Sequence, residues 1–221
     1  VVHAVDGVSM QVNEGERVGV VGESGCGKSS FAQLITGTTT PLLHYEGGVV
    51  RVEGCDIWKI PPEVLRKKVK CELISYVPQA MLNSLNPVKK VSEFIADMLR
   101  ERTGYRYSVK GACKMASEHF KRLGLDASVL NLYPHELSGG MMQRSIIAIS
   151  TMATPKLLIT DEPTSALDVT SQKRVIKMML DIQKKGIIKS LVCISHDLSA
   201  LNQLCTKLVI MYAGKFVESG K

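Results

Sequence analysis

The sequence predicts an α/β protein whose mainly parallel sheet is interrupted by an inserted helical block. Short apolar runs alternate with amphipathic stretches toward both ends of the chain, as in a sheet covered on both faces. Residues 22–30, GESGCGKSS, follow the run RVGVV and lead into KSSFAQLITG, so a glycine-rich turn joins a strand to a helix. From 80 to 153 strand signals disappear and apolar residues recur at helical intervals. With 221 residues, 45% hydrophobic and 22% charged, the chain has material for a sizeable core and is not of disordered composition.

Taken in order, HAVDGVSMQV alternates loosely and reads as β-rich, and RVGVVG is the strand that enters the glycine turn. The following helix closes at Gly37, GGVVRVEG at 47–54 reads as a strand, and Pro61-Pro62 opens a helix over EVLRKKV. LISYVPQ at 73–79 is a strand ending in a proline and a glutamine. VSEFIADMLRER, CKMASEHFKRLG and MMQRSIIAISTMA are the helices of the inserted block. Strands return in KLLITDEP, KSLVCISHD and KLVIMYAGKFVESG. The intervening helix has Asp168 as its N-cap, Gly186 as its terminator, and Val175, Ile176, Met179 and Leu180 on one face. The core is therefore discontinuous, 1–79 with 154–221, and 80–153 forms a second, helical lobe. No internal repeat is visible.

The turn carries the first chemistry. Gly22, Glu23, Ser24, Gly25, Cys26, Gly27, Lys28, Ser29 and Ser30 place few side chains around one lysine, so backbone amides can curl about an anion. Lys28 adds a point charge and the Ser29 hydroxyl is free for a magnesium ion. Asp161 and Glu162 end an apolar strand, where one carboxylate can reach a metal shell and the other can face an attacking water. Taken alone, such a pair can also be a surface strand cap. His196 ends another strand and is placed for a γ-phosphate contact, and Gln79 ends a third, where its amide could meet magnesium or the water. Ser138, Gly139 and Gly140 open a helix whose N-terminus is a second anion site by amides and dipole, with Ser138 also a plain N-cap.

These residues together resemble the nucleotide-binding subunit of ATP-binding cassette (ABC) transporters, over essentially the whole chain and in the family's order. GESGCGKS is similar to the Walker A loop, Gln79 to the Q-loop glutamine, LSGGM to the signature, LLITDE to Walker B, SALD at 165–168 to the D-loop, and His196 to the switch histidine. VPQAMLNSLNPV, YPHELSGGMMQR and DEPTSALDVT resemble the oligopeptide, dipeptide and nickel importer branch. The resemblance implies a P-loop NTPase (RecA-like) core with a small antiparallel β subdomain and the inserted helical subdomain. It implies ATP and Mg2+ as cofactors, the ion being held by Ser29, Gln79 and Asp161. Glu162 would be the general base and His196 the holder of the γ-phosphate. Two cassettes would pair head to tail, Ser138 to Gly140 of one closing the nucleotide site of the other.

Two departures accompany the match. Met141 stands where the signature commonly has glutamine, and the aromatic residue expected to stack on adenine falls upstream of Val1. The extension that the branch tends to carry after ESG is also not seen, so both ends read as trimmed.

The implied partners are transmembrane permease subunits, a second ATPase subunit and, indirectly, an extracytoplasmic solute-binding protein, with peptides as the default solute. A short permease helix would enter a groove beside residues 80–100. The resemblance implies the cytoplasmic face of the cell membrane as the location; no apolar stretch reaches the ~18 residues that span a bilayer, so something else would have to anchor the chain there. Six cysteines without a C-x-x-C pair argue against a zinc site or a disulfide framework and suit a reducing compartment. Cys26 inside the loop should make activity sensitive to bulky thiol reagents.

The net charge of +7 raises nucleic acid as a partner, and a soluble ABC-type ATPase acting on DNA is the rival reading. No zinc-ligand cysteine pair, coiled-coil insertion or aromatic interleaving supports it. The basic runs RKKVK at 66–70 and RERTGYR at 100–106 read as solvated helix faces, so no nucleic-acid partner is expected.

Overall fold

A computed structural model of the protein describes residues 2–38, 40–41, 43–70, 72–79 and 85–220. The main sheet contains β1 (Arg17–Val21), β4 (Ile74–Val77), β5 (Leu157–Asp161), β6 (Ser190–Ser195), β7 (Lys207–Tyr212) and β8 (Lys215–Gly220) in the order β4-β5-β6-β1-β7-β8. All neighbours run parallel except β7 and β8. A separate antiparallel pair is made by β2 (Arg51–Val52) and β3 (Cys55–Asp56).

The central strands are continuous apolar runs because they are covered on both faces. All six residues of β6 are buried. Strand alternation divides the core accordingly. Leu158, Leu191 and Cys193 face one apolar cluster with α6 (Val169–Lys184) and α7 (Leu198–Leu204), whereas Val18, Val20, Ile159, Val192 and Ile194 face a second with Phe31 and Ala32. The second pair belongs to α1 (Lys28–Ile35). In β1, Gly19 lets side chains of both β7 and α7 approach closely, since a Cβ there would lie 2.6 Å from Leu208 Cδ2 and 3.2 Å from Leu201 Cδ2.

Between β4 and β5 the chain is helical among the described residues, with α3 (Val91–Thr103), α4 (Val109–Arg122) and α5 (Gly139–Ser150) as its main elements. Their buried faces (Ile95, Phe120, Ile146) belong to the same cluster as Leu158 and Leu191, so the inserted block and one face of the sheet share one apolar body. The N-cap reading holds in α6, where Asp168 accepts the Ser171 N–H at 3.0 Å, and Gly186 takes the left-handed φ of 67° just past its end.

Four local expectations change. HAVDGVSMQV forms no strand, GGVVRVEG pairs only at Arg51–Val52, and PPEVLRKKV is a three-residue α2 (Pro62–Val64) running into a π-helical turn at Leu65–Val69. KLVIMYAGKFVESG is a hairpin, not one strand. Ala213 (φ 45°) and Gly214 (φ 80°) turn it in the left-handed region, and β8 returns antiparallel to β7 as the sheet edge.

Candidate active site

The register of the parallel strands gathers the candidate residues at one edge. Val21 pairs with Ser195, Asp161 with Ile194 and Val77 with Thr160, so the chain leaves β1, β4, β5 and β6 side by side at their carboxyl ends. That edge of a parallel sheet, where the strand order departs from the sequence order, is where ligands are bound. A cavity of about 450 Å³ opens there, lined by Ser24, Gly25, Gly27, Lys28, Ser29, Ser30, Gln79, Asp161, Glu162 and His196, with Ala4.

The loop owes its shape to glycines that cannot be replaced cheaply. Gly27 precedes α1 with φ 106°, and a Cβ on it would lie 2.1 Å from the Ala4 carbonyl oxygen. Gly27 offers no side-chain cap, so the first amides of α1 stay open for an anion. Lys28 is buried, and its Nζ donates to the carbonyl oxygens of Gly22 and Glu23, both at 2.7 Å. Gly22, Glu23 and Cys26 contribute main chain to the loop but do not line the cavity. Cys26 is buried in the apolar cluster that holds Met211, which corrects the expectation of a readily attacked thiol.

Asp161 is 2% exposed, and neither carboxylate oxygen has a hydrogen-bond partner of good geometry among the described residues. Burial pushes its carboxyl above the ordinary carboxylate range. The nearby Ser29 hydroxyl pulls it back, the Glu162 charge pushes it further, and Lys28 and Tyr76 pull it down. A buried carboxylate with no well-formed hydrogen bond suits a cation. No group of three or more His, Cys, Asp or Glu able to hold a metal occurs among the described residues. Of the residues expected to meet a metal, Ser29, Asp161 and Gln79 line the cavity and present one hydroxyl, one carboxylate and one amide. So sparse a set fits a magnesium ion that takes its remaining ligands from phosphates and water.

Glu162 is held differently. Its φ of 51° places a non-glycine residue in the left-handed region, and its amide donates to the Ile194 carbonyl oxygen at 2.8 Å. The side chain, 8% exposed, accepts from the Ser195 hydroxyl at 3.2 Å and from the His196 N–H at 3.0 Å, and meets His196 Nδ1 at 2.8 Å. The carboxylate is thereby fixed in the wall of the cavity beside an exposed imidazole. Ser195 and Tyr76 escaped the sequence reading. Tyr76 lies beside Asp161, whose charge adds to burial in raising the phenol's pKa.

Ser138, Gly139 and Gly140 lie apart from this cavity. Ser138 caps α5 by accepting the Met141 N–H at 3.3 Å, and Ser138 and Gly139 are exposed. Gly140 is buried against α6, where a Cβ would come within 2.6 Å of Ser171 Oγ. Met141 packs against the larger apolar cluster.

The ABC transporter family model matches residues 5–165. The chain belongs to the ABC transporter family. It is 40% identical over 223 residues to the dipeptide transport ATP-binding protein DppD of Escherichia coli, covering 98% of this chain and 66% of that protein. It is 38% identical over 222 residues to the oligopeptide transport ATP-binding protein OppD of Bacillus subtilis, covering 99% and 61%. The chain thus spans about two thirds of the length of these curated relatives. Among solved structures it is similar to a dimeric post-hydrolysis state of the ATP-binding cassette MJ0796 bound to ADP and Pi, with TM-score 0.83, 25% identity and coverage of 100% and 91%. It is also similar to cbiO1 of Clostridium perfringens, part of the ABC transporter complex cbiONQ, with TM-score 0.81, 25% identity and coverage of 98% and 81%. The P-loop fold expected of an ABC cassette is the fold observed.

Proposed function

We propose that the chain is the ATP-hydrolysing part of an ABC importer subunit, a reading carried by one observation: a phosphate loop, a buried carboxylate with no well-formed hydrogen bond and a glutamate–histidine pair line one cavity. The loop amides and Lys28 bind the β- and γ-phosphates of ATP. Ser29, Asp161 and Gln79 would hold a magnesium ion, which would supply positive charge against the charge developing on the phosphates. Glu162, oriented by Ser195 and His196, accepts the proton of the attacking water, and His196 steadies the γ-phosphate.

In this reading the exposed Ser138–Gly139 end of α5 closes the site of a second copy or a related chain, so hydrolysis needs a head-to-tail pair. The dimeric state of the MJ0796 cassette supports the pairing of two cassettes. The lobes are 1–79 with 154–221, and 80–153. The solute is a peptide, because the relatives named above are dipeptide and oligopeptide transport proteins. A solute-binding protein would deliver it to the permease.

The permease segment docks at a mostly apolar cavity of about 360 Å³ walled by Ile74, Phe94, Met98 and Ile149, next to the expected groove. Residues 80–84 of that groove lie outside the described residues. No described helix is long and apolar enough to cross a membrane. In this reading the permease is one of the contacts that hold the chain at the cytoplasmic face of the membrane. Purified protein should hydrolyse ATP only with magnesium and in proportion to its dimeric fraction. Equal turnover by a strictly monomeric preparation would overturn the reading.

A further inference from the structure

The two basic runs at 66–70 and 100–106, read in the sequence as separate solvated faces, meet on the surface. Arg66 pairs with Glu101, 35 positions away, and Arg102 Nη2 donates to Glu72 Oε1 at 3.2 Å. Between them lies a concavity of about 320 Å³ whose lining includes Arg66, Lys67, Arg100, Arg102 and one acid, Glu101. Lys67 and Arg100 are exposed and form no ion pair among the described residues. Beyond Gly104, which ends α3 with φ 75°, Tyr105 is 75% exposed.

We infer that this cationic surface binds the anionic phosphate headgroups of the membrane beside the permease. Guanidinium and ammonium groups are the natural partners of phosphate oxygens, and basic side chains next to a membrane are drawn to its anionic lipids. An exposed tyrosine suits the headgroup layer, where its ring and hydroxyl meet different surroundings. Arg102 lines both this concavity and the apolar cavity assigned to the permease segment, so the two surfaces adjoin. No hydrophobic residue lines the basic concavity, so it offers a peptide no apolar anchor and offers phosphates only charge. The direction it faces rests on the permease-docking reading; the lipid binding itself is measured without it.

The test is sedimentation of the full chain with vesicles of phosphatidylglycerol mixed with phosphatidylcholine, against phosphatidylcholine alone. The chain should pellet with the anionic vesicles only, and less at high salt. Lys67→Glu/Arg100→Glu should lower the bound-to-free ratio at least about tenfold. Lys67→Gln/Arg100→Gln should lower it less, with binding of a fluorescent ATP analogue and the melting temperature unchanged in both. Equal pelleting with neutral vesicles, or pelleting by a folded Lys67→Glu/Arg100→Glu variant that matches the parent, overturns the inference. So does a variant that loses binding to a polyglutamate peptide while keeping vesicle binding. Failure of the wild-type chain to bind the ATP analogue would instead count against the proposed function and leave the lipid result standing.

Discussion

Two helix N-termini in this molecule carry serine and glycine, and they are built in opposite ways. At α1 the glycines turn inward: Gly27 is locked by φ 106° and by the Ala4 carbonyl, and Lys28 is buried at the loop's centre. At α5 the end points outward: Ser138 makes an ordinary cap, Ser138 and Gly139 are exposed, and neither lines the cavity that holds Lys28, Asp161 and Glu162. An anion at α5 alone would find amides and a dipole but none of the cavity's charged side chains. In the proposed head-to-tail pair, the first end is half of a site and the second a cover for another molecule's half.

The most severe challenge to this contrast is Glu162→Gln. It should lower steady-state ATP hydrolysis by about a hundredfold or more while ATP affinity, read by equilibrium titration, stays within a few-fold. Next in size is complementation. Lys28→Ala and Ser138→Arg should each abolish most turnover as homodimers, Lys28→Ala by weakening nucleotide binding about tenfold or more. Mixed in equal amounts, they should recover activity, because the mixed pair retains one intact loop facing one intact cover. No recovery in a mixture shown to exchange subunits would break the two-part account.

A smaller effect is expected at the packed side of the cover. Gly140→Ala should destabilise the fold by about 1–3 kcal/mol in urea unfolding, through the clash with Ser171, and Ser171→Gly should restore part of it. Asp161 gives a pH test with a definite sign. Its carboxyl is raised in the folded state, so the native protein binds the extra proton, and the stability linked to it falls as pH climbs from the ordinary value of 3.8 through the raised one. In the absence of nucleotide and metal, Asp161→Asn should therefore raise the melting temperature at neutral pH and flatten its pH dependence. Smallest is the thiol: exposed Cys55 should react with a maleimide well before buried Cys26.

How far the sequence could be read followed from where each signal resides. The central strands were legible because RVGVV, LLITD and SLVCIS are apolar along most of their length, with polar residues toward the ends, as suits strands buried on both faces, and Asp168 announced its own helix. Short pairing was not: β2 and β3 have two residues each, and the turn inside KLVIMYAGKFVESG hid behind an apolar run with only Ala213-Gly214 to mark it. In the site, Lys28, Asp161, Glu162 and His196 were visible from their neighbours in sequence. Ser195 and Tyr76 were not, since their parts depend on which strand lies next to which, Ser195 through the β5–β6 pairing and Tyr76 through β4–β5. The meeting of the two basic runs was hidden for the same reason, being made by ion pairs across 35 and 30 positions.

Lys28 donates to Gly22 and Glu23, and that clasp bears on how quickly the protein meets its nucleotide. A loop propped by its own ammonium keeps its curvature while waiting, so arrival asks the lysine to trade two carbonyl oxygens for phosphate oxygens and asks little of the backbone. Association should then run near the rate of productive encounter, with no slow rearrangement phase in a stopped-flow trace.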